Sequence, residues 1–294
     1  MTAPITVLGD VMVDVSARVS TPIAHASDTD ARISMQLGGS GATTARWLAH
    51  AEASVHFIGC VGDDALGDLA RRTLESDGVH AHLQVVGPST GTCIVIVESD
   101  GERTMLPDPG ANTGLDADAI PDDLLAGRLH VSGYTLLRPA SRAVGRSLIA
   151  RARSLGTLVS LDAASAAPLA ASPDVVLDVL AEVDVLIANR DEAEVLTGTG
   201  DPEVGLARLA DLVPTAVIKL GSAGAFAASG AERVRVPARA GDVLDTTGAG
   251  DAFAAGLLAA FGHGASLEEA TLAGRDLAAV AVARVGAGPP PRAG

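Results

Sequence analysis

Hydrophobic positions along this chain fall into runs of two lengths that alternate. The short runs are apolar at nearly every position, which is typical of buried strands in a parallel sheet, and they lie at Ile5–Leu8, Val55–Ile58, Leu129–Val131, Leu158–Leu161, Val183–Ile187 and Ala216–Leu220. The longer, Ala- and Leu-rich runs have helical spacing and lie at Gly41–Ala51, Ala65–Ser76, Ser141–Leu155, Pro173–Ala181 and Pro202–Leu212. This alternation predicts an α/β fold in which helices cover both faces of a mostly parallel sheet.

Two more helices and a separate β-rich region complete the predicted organisation. Asp251–Phe261 carries an apolar stripe, and the last helix begins at Ser266, which forms an S-x-x-E capping pattern with Glu269. The segments at about 11–36 and 83–106 look rich in strands without intervening helices. We predict that they form a small β-sheet lid over the open edge of the main sheet, so that residues 1–294 make one domain with a lid.

Composition and charge narrow the class of protein. The chain has 36 acidic and 21 basic residues, a formal net charge of −15, and only 2% aromatic residues. Both features argue against binding to nucleic acid, and the acidic charge argues against an anionic membrane surface. No apolar stretch is long enough to span a bilayer, no secretory signal is evident, and two cysteines do not make a disulfide framework. We expect a soluble, cytoplasmic protein.

The strongest chemical signal is the segment Asp245–Phe253, D-T-T-G-A-G-D-A-F, which runs directly into a predicted helix. Gly248 and Gly250 allow a ligand to approach the backbone closely, and the first amides of the helix lack intrahelical partners. Together they predict an anion hole suited to a phosphoryl group. Asp251 lies at its rim, where the helix N-terminus favours the ionised form that a general base requires. A glycine turn with Asp as a helix cap is equally typical of this pattern.

A family resemblance separates these alternatives. D-T-T-G-A-G-D-A-F-x-A-G resembles the C-terminal signature of the PfkB, or ribokinase-like, family of small-molecule kinases. A second signature of that family is matched by Gly38–Ala45, G-G-S-G-A-T-T-A, about two hundred residues earlier. The resemblance implies a three-layer α/β/α core with a mostly parallel sheet, a small β-sheet lid, and transfer of the γ-phosphoryl group of ATP to a hydroxyl of a sugar or sugar-like substrate.

The resemblance also implies roles at the nucleotide end. Asp251 would be the base, and Gly248, Ala249 and Gly250 would stabilise the transferring group. Asn189 would face the phosphates and Glu192 would help hold Mg²⁺ through water, although the N-x-x-E motif is also typical of a helix cap. ATP would further contact Lys219, Gly221, Ser222 and Gly224, in a stretch that is also typical of a simple hairpin turn, and Arg275. A monovalent cation such as K⁺ would lie against Asp245, Thr247 and carbonyls of Ala281, Arg284 and Gly286.

The acceptor pocket is expected at the end of the first strand. Strand spacing puts Asp10, Met12 and Asp14 on one face, and carboxylates suit polyhydroxylated substrates. By resemblance Asp14 would bind hydroxyls, and we also assign Asp10, Gly38, Gly39, Thr43 and Arg103 to the acceptor, with Asn112 and Tyr134 as further candidates. Thr43 stands where the family usually has Asn, and Met12 where ribokinases often have Asn, which argues against ribose itself.

Other functions compete with a sugar kinase. A nucleoside kinase of the same fold is the nearest alternative, but both lid segments lack an aromatic residue to stack on a base. The chain has neither the G-x-G-x-x-G turn of a dinucleotide-binding dehydrogenase nor a Walker A motif. A non-catalytic ligand sensor is more remote, because Asp251 and the anion hole are kept. Family members pair through lid strands or stay monomeric, so we expect a homodimer through the lid or a monomer.

Overall fold

The computed structural model describes residues 3–98 and 102–291, and its strands form two separate sheets. One sheet has nine strands and is called the large sheet here; the other has four strands and is called the lid. The strands are β1 (Ile5–Leu8), β2 (Met12–Val19), β3 (Ala31–Gly38), β4 (Val55–Gly62), β5 (His80–Val86), β6 (Gly91–Val97), β7 (Arg103–Asp108), β8 (Arg128–Ser132), β9 (Leu158–Asp162), β10 (Val185–Asn189), β11 (Thr215–Lys219), β12 (Ala225–Ser229) and β13 (Glu232–Val236).

The helices connect these strands. They are α1 (Ser40–His50), α2 (Ala65–Ser76), α3 (Asp122–Leu125), α4 (Tyr134–Leu137), α5 (Pro139–Ser154), α6 (Ala166–Ala171), α7 (Asp174–Leu177), α8 (Arg190–Thr197), α9 (Pro202–Ala210), α10 (Ala249–Gly262) and α11 (Leu267–Val282). The predicted capping box at Ser266 is present, because Glu269 and Ser266 exchange side-chain and backbone hydrogen bonds. No helix in residues 3–98 and 102–291 is long and apolar enough to cross a membrane.

The large sheet is mostly parallel, in the order β13-β12-β11-β10-β9-β8-β1-β4-β5. Every neighbouring pair from β5 to β11 is parallel, and only the hairpin strands β12 and β13 are antiparallel. Successive residues of a central strand enter two different hydrophobic cores: Leu186 and Ala188 pack into one, and Ile187 packs into the other. Helices therefore cover both faces, and the predicted three-layer α/β/α architecture is confirmed.

Two predicted segments differ from the structure, and one hairpin was missed. Residues 83–86, which we assigned to the lid, belong to β5 and pair with β4 at the edge of the large sheet. The helix predicted at Pro173–Ala181 is only α7 followed by a 3-10 turn at Leu180–Glu182. Val176, Val179 and Leu180 are all buried there, so burial fixes the segment although helical hydrogen bonding is interrupted. The hairpin of β12 and β13 was not predicted.

The lid has two chemically different faces. Its order is β3-β2-β6-β7, and the side chains of each strand alternate between the faces. Asp14, Gln36, Cys93 and Met105 share one face through the cross-strand register. The other face exposes large apolar side chains at Ile33, Met35, Ile94 and Leu106.

Two glycines start the helices that face the space between lid and large sheet. Gly39 precedes α1 with φ of 87°, and Gly248 precedes α10 with φ of 75°. A Cβ on Gly39 would lie 2.7 Å from the carbonyl oxygen of Asp10, and one on Gly248 would lie 2.5 Å from the carbonyl oxygen of Ala287. Both positions therefore require glycine, and a glycine at this position supplies no capping side chain to the helix that follows.

Candidate active site

A cleft of about 1270 Å³ lies between the lid and the carboxyl ends of the central strands. This is the edge at which open α/β sheets bind ligands. Most of the residues that the sequence assigned to a site line this one cleft: Asp10, Asp14, Gly39, Thr43, Asn189, Glu192, Lys219, Gly221, Ser222, Gly224, Thr247, Gly248, Ala249, Gly250, Asp251 and Arg275. The tertiary structure thus brings together residues from both ends of the chain.

The remaining assigned residues lie beside the cleft rather than on its wall. Gly38 lies beneath Asp14, where a Cβ would come within 2.3 Å of the Asp14 carboxylate. Arg103 and Asp245 line a neighbouring cavity of about 200 Å³. The backbone of Ala281 and Gly286 is buried near Asp245, and Arg284 follows at the end of α11.

The predicted anion hole is formed by the start of α10 and by Lys219. Gly248 adopts the left-handed conformation, and α10 then begins at Ala249, with Gly250 and Asp251 in its first turn. A Cβ on Gly250 would lie 3.2 Å from Nζ of Lys219, so the ammonium group stands directly beside the helix N-terminus. The amides at this helix start, the helix dipole and a lysine at one point fit the predicted binding site for a phosphoryl group.

Asp251 is held in place by α1. The hydroxyl of Ser40 donates a hydrogen bond to Oδ1 of Asp251 over 2.8 Å, and the hydroxyl of Thr44 lies 3.5 Å from the same oxygen. Burial, followed by the charge of Asp162, raises the pKa of Asp251 to about 8, against the opposing effects of Ser40 and Lys219. In the free protein, burial and the charge of Asp162 therefore act against the ionised form that the helix N-terminus favours.

Lys219 forms a buried ion pair with a residue to which the sequence assigned no role. Its Nζ donates to Oδ2 of Asp162 over 2.7 Å. Burial lowers the pKa of Lys219, but the negative charges of Asp162 and Glu192 more than compensate and hold it above its ordinary value. Asp162 ends a buried strand, and polar residues at the carboxyl end of such a strand are the signal that could have identified it.

Asn189 and Glu192 form the capping box of α8. The Asn189 side chain accepts from the Glu192 amide, while Glu192 accepts from the backbone and side chain of Asn189, each over 2.7 Å. Burial raises the pKa of Glu192 to about 7, and the charge of Lys219 opposes that rise. The motif is therefore a helix cap, and this cap also faces the cleft, as its predicted role toward phosphates and Mg²⁺ requires.

The donor set fits Mg²⁺ bound together with phosphate groups. Among residues 3–98 and 102–291 there is no group of three or more His, Cys, Asp or Glu side chains that could hold a metal ion. Mg²⁺ usually keeps several waters and takes one or two carboxylates plus substrate phosphates. The buried carboxylate of Glu192, on the wall of the same cleft as the anion hole, matches that pattern.

Arg103 forms an ion pair with Asp245, the carboxylate that the resemblance assigned to a monovalent cation. Its guanidinium pairs with Oδ1 of Asp245 over 2.8 Å and donates to the hydroxyl of Thr247. The amide of Gly286 donates to the other carboxylate oxygen over 3.0 Å. Burial raises the pKa of Asp245, but the hydrogen bonds from Thr247 and Gly286 and the charge of Arg103 bring it below its usual value. This arrangement does not fit K⁺. Arg103 shares the neighbouring cavity with Asp14, so its role toward the acceptor stays a prediction.

The acceptor end is built around Asp10 and Asp14. Asp10 accepts from the amides of Ser40 and Gly41 and from the hydroxyl of Ser132, so it fixes the start of α1 while facing the cleft. Burial, and then the charge of Asp10, raises the pKa of Asp14 to about 6. Asn112 is a structural brace, because its side chain bonds the backbone N–H and C=O of Val11.

Several cleft residues were not assigned from the sequence. Lid residues Cys93, Met105 and Pro107 point down from β6 and β7 onto the wall that also holds Met12 and Thr43. Arg138 also lines the cleft, with its guanidinium carbon 5.5 Å from the centre of the Tyr134 ring. It follows α4, which comes directly after the carboxyl end of β8, and this position is the signal that sequence reasoning overlooked.

The comparisons with known proteins match this geometry. The family model described as "pfkB family carbohydrate kinase" matches residues 2–293. The chain belongs to the PfkB family. An ATP-dependent ribose-1-phosphate kinase from Halopiger xanaduensis is 34% identical over 293 residues, which cover 97% of this chain and 94% of the relative. A fructokinase from Klebsiella pneumoniae is 32% identical over 269 residues, which cover 88% of this chain and 84% of the relative.

The solved structures agree with the PfkB assignment. The crystal structure of adenosine kinase from Sinorhizobium meliloti has a TM-score of 0.89 and 28% sequence identity, and covers 99% of this chain and 97% of that one. This PfkB protein is therefore an ATP-dependent phosphotransferase that acts on an alcohol group, and its relatives include both sugar kinases and nucleoside kinases. The dinucleotide-binding dehydrogenase alternative is excluded.

Proposed function

We propose that this protein transfers the γ-phosphoryl group of ATP to a hydroxyl of a sugar or sugar-like acceptor, with Asp251 as the general base. The observation that carries the proposal is the position of Asp251. Its carboxylate lies in the first turn of α10, beside the anion hole, and is held by Ser40 of the helix that borders the acceptor end. One side chain thus stands between the phosphoryl site and the acceptor site.

The nucleotide end positions the phosphates. Lys219, the amides at Gly248–Gly250 and the polar side chain of Asn189 provide donors on one wall of the cleft, and the loop of Gly221, Ser222 and Gly224 with Arg275 borders the same space. When bound, Mg²⁺ neutralises phosphate charge, and Glu192 is the residue that would hold it. Positioning and electrostatics of this kind supply most of the catalysis in phosphoryl transfer.

The acceptor end orients the attacking hydroxyl. Asp14 accepts hydrogen bonds from substrate hydroxyls, Gly39 keeps the backbone accessible, and Gly38 leaves room for the Asp14 carboxylate. As the bond between the acceptor oxygen and the γ-phosphorus forms, the bond from that phosphorus to the oxygen of ADP breaks, and the hydroxyl proton passes to Asp251. The amides of Gly248, Ala249 and Gly250 stabilise the charge on the transferring group.

A nucleoside kinase is the second candidate. The similarity to adenosine kinase favours it. The lid favours a sugar, because its cleft side presents Met12, Cys93, Met105 and Pro107 and no aromatic ring among the residues that line the cleft from the lid. Bases are most often held by stacking on aromatic side chains.

The test is an ADP-release screen over pentoses, hexoses, keto-sugars, sugar phosphates and nucleosides. Asp251→Asn should lower kcat for the best acceptor by about 10²–10⁴-fold, since that is the usual contribution of a general base. Asp211→Asn, an exposed carboxylate outside the cleft, is the control and should keep full activity. Equal turnover by the wild type and Asp251→Asn would overturn the assigned base. A response to nucleosides alone would favour the second candidate, and no response at all would favour a ligand sensor.

We also propose an oligomeric state and a cellular compartment for this protein. We expect two copies to pair through the exposed apolar face of the lid, formed by Ile33, Met35, Ile94 and Leu106. A monomeric sedimentation coefficient for the wild type at micromolar concentration would contradict this pairing. Cys60 and Cys93 are free thiols, as expected for a cytoplasmic protein.

A further inference from the structure

Arg138 is an arginine in the cleft whose guanidinium has no anionic partner. Four basic side chains line the cleft. Three have carboxylate neighbours: Lys219 pairs with Asp162, and Arg239 and Arg275 both pair with Asp276. Within residues 3–98 and 102–291, no ion pair or hydrogen bond involves the Arg138 side chain, and its Nε is buried without a hydrogen-bond partner. A buried donor that stays unsatisfied is costly unless a ligand completes it.

The position of Arg138 places it at the acceptor end rather than at the nucleotide end. It lines the cleft together with Asp10 and Tyr134, and the same three residues line a small recess beside the carboxyl end of β1. Burial and the charge of Asp14 raise the pKa of the Cys93 thiol, and the charge of Arg138 opposes that rise, so Arg138 lies within electrostatic reach of this lid residue. Asp10, Asp14 and Cys93 all belong to the acceptor wall.

Tyr134 holds the guanidinium in a defined orientation. The guanidinium carbon lies 5.5 Å from the ring centre, within the range of a cation–π contact. Burial raises the pKa of Tyr134 and a hydrogen bond with Ser165 lowers it; the charges of Asp10 and Asp251 raise it further, while Arg138 lowers it. Tyr134 therefore lies within electrostatic reach of both Arg138 and the proposed base.

We propose that Arg138 binds an anionic group of the acceptor, so that the substrate is a polyhydroxylated compound that already carries a phosphate or a carboxylate. This inference rests on the proposed function, since it assigns the acceptor of the same site. A guanidinium presents a planar fork that binds either anion through two parallel hydrogen bonds. Asp14 provides the opposite chemistry, because it accepts hydrogen bonds from hydroxyls and repels an anion. The two residues would thus orient an acceptor with one charged end.

The test compares neutral sugars with related compounds that carry an anionic group. D-Ribose is paired with ribose 1-phosphate, and D-glucose with its 6-phosphate and with gluconate; kcat/KM is measured for each by ADP release. The variants are Arg138→Met, which removes the charge, and Arg138→Lys, which keeps it without the planar fork. Arg146→Met is the matched control, because Arg146 lies on α5 and pairs with Asp178 at the surface, away from the cleft.

The wild type should prefer an anionic member of a pair. Arg138→Met should lower kcat/KM for the anionic acceptor by about tenfold or more, mainly through KM, because a pair of charge-assisted hydrogen bonds is worth that factor. It should leave kcat/KM for the neutral acceptor unchanged. Arg138→Lys should restore part of the loss, and Arg146→Met should change nothing. A preference for ribose 1-phosphate identifies phosphate as the anionic group that Arg138 binds, and a preference for gluconate identifies carboxylate. A wild type that prefers the neutral acceptors, or an unchanged ratio in Arg138→Met, would overturn the inference.

A binding measurement separates this inference from the proposed function. Isothermal titration of Asp251→Asn with ribose 1-phosphate, gluconate and D-ribose needs no turnover. If the wild type phosphorylates nothing, the proposed function fails. In that case, the role of Arg138 is still supported if Asp251→Asn binds an anionic compound more tightly than D-ribose and Asp251→Asn/Arg138→Met does not. Equal binding of the anionic compound by these two variants contradicts that role.

Discussion

Lys219 and Asp162 meet across an intervening strand, with Nζ of the lysine 2.7 Å from Oδ2 of the aspartate. Asp162 ends β9 and Lys219 ends β11, and β10 lies between them in the large sheet. Both side chains are largely shielded from solvent: 8% of the Asp162 side chain and 15% of the Lys219 side chain are exposed. The pair fixes Lys219 beside the start of α10 and places the Asp162 charge close enough to Asp251 to raise the pKa of that carboxyl.

The pH dependence of activity should reflect the pKa of Asp251. Because this pKa is about 8 in the free protein, Asp251 is protonated at lower pH, and kcat/KM should fall as pH decreases below about 8. Asp162→Asn removes a charge that raises this pKa, so the acid limb should move to lower pH. A pH–rate profile of wild type and variant measures the shift, and an acid limb that stays in place or moves upward contradicts the electrostatic role of Asp162.

Breaking the Lys219–Asp162 pair should destabilise the fold. Lys219→Met leaves the Asp162 carboxylate buried without its cation, which typically costs about 3–5 kcal/mol. The double variant Lys219→Met/Asp162→Asn should regain part of that loss, because no unpaired charge remains. Arg235→Met, which breaks an exposed pair with Glu203, is the control and should cost about 0–1 kcal/mol. Urea unfolding measures all three, and equal losses for Lys219→Met and Arg235→Met would contradict this account.

Activity should not depend on potassium. Arg103 already provides a positive charge to Asp245 and Thr247, so kcat/KM in potassium chloride and in tetramethylammonium chloride of equal ionic strength should agree within about twofold. Arg103→Met frees the Asp245 carboxylate, so this variant should be less active and should be reactivated specifically by K⁺. Strong activation of the wild type by K⁺ would show that the ion displaces Arg103.

Gly248 and Gly250 should differ in their response to alanine. Gly248→Ala forces a side chain into a left-handed backbone and against the carbonyl of Ala287, so it should lower both the melting temperature and activity. Gly250 has no such backbone requirement, and its added Cβ would meet only Nζ of Lys219 at 3.2 Å. Gly250→Ala should therefore keep the melting temperature and lower kcat by crowding the phosphoryl site. A normal kcat for Gly250→Ala would contradict the anion hole.

Much of the fold could be predicted from the sequence because the relevant signals are local. Buried parallel strands are apolar throughout, and α2 was predicted with its observed bounds, Ala65–Ser76. The prediction failed where local pattern and packing disagree. Residues 83–86 resemble lid strands in their local pattern. They nevertheless pair with β4 at the edge of the large sheet, and this long-range pairing cannot be inferred from neighbouring residues.

The sequence by itself determined the alternation of the central strands with helices, the two glycine starts of α1 and α10, and the position of Asp251 at a helix N-terminus, because each depends on neighbouring residues. Only the tertiary structure decided which charges meet. Lys219 pairs with Asp162, Arg103 pairs with Asp245, and Arg138 is left without an anion among the described residues. Partners so distant in sequence are selected by strand order, and burial then determines their pKa values, as the raised pKa of Asp251 shows.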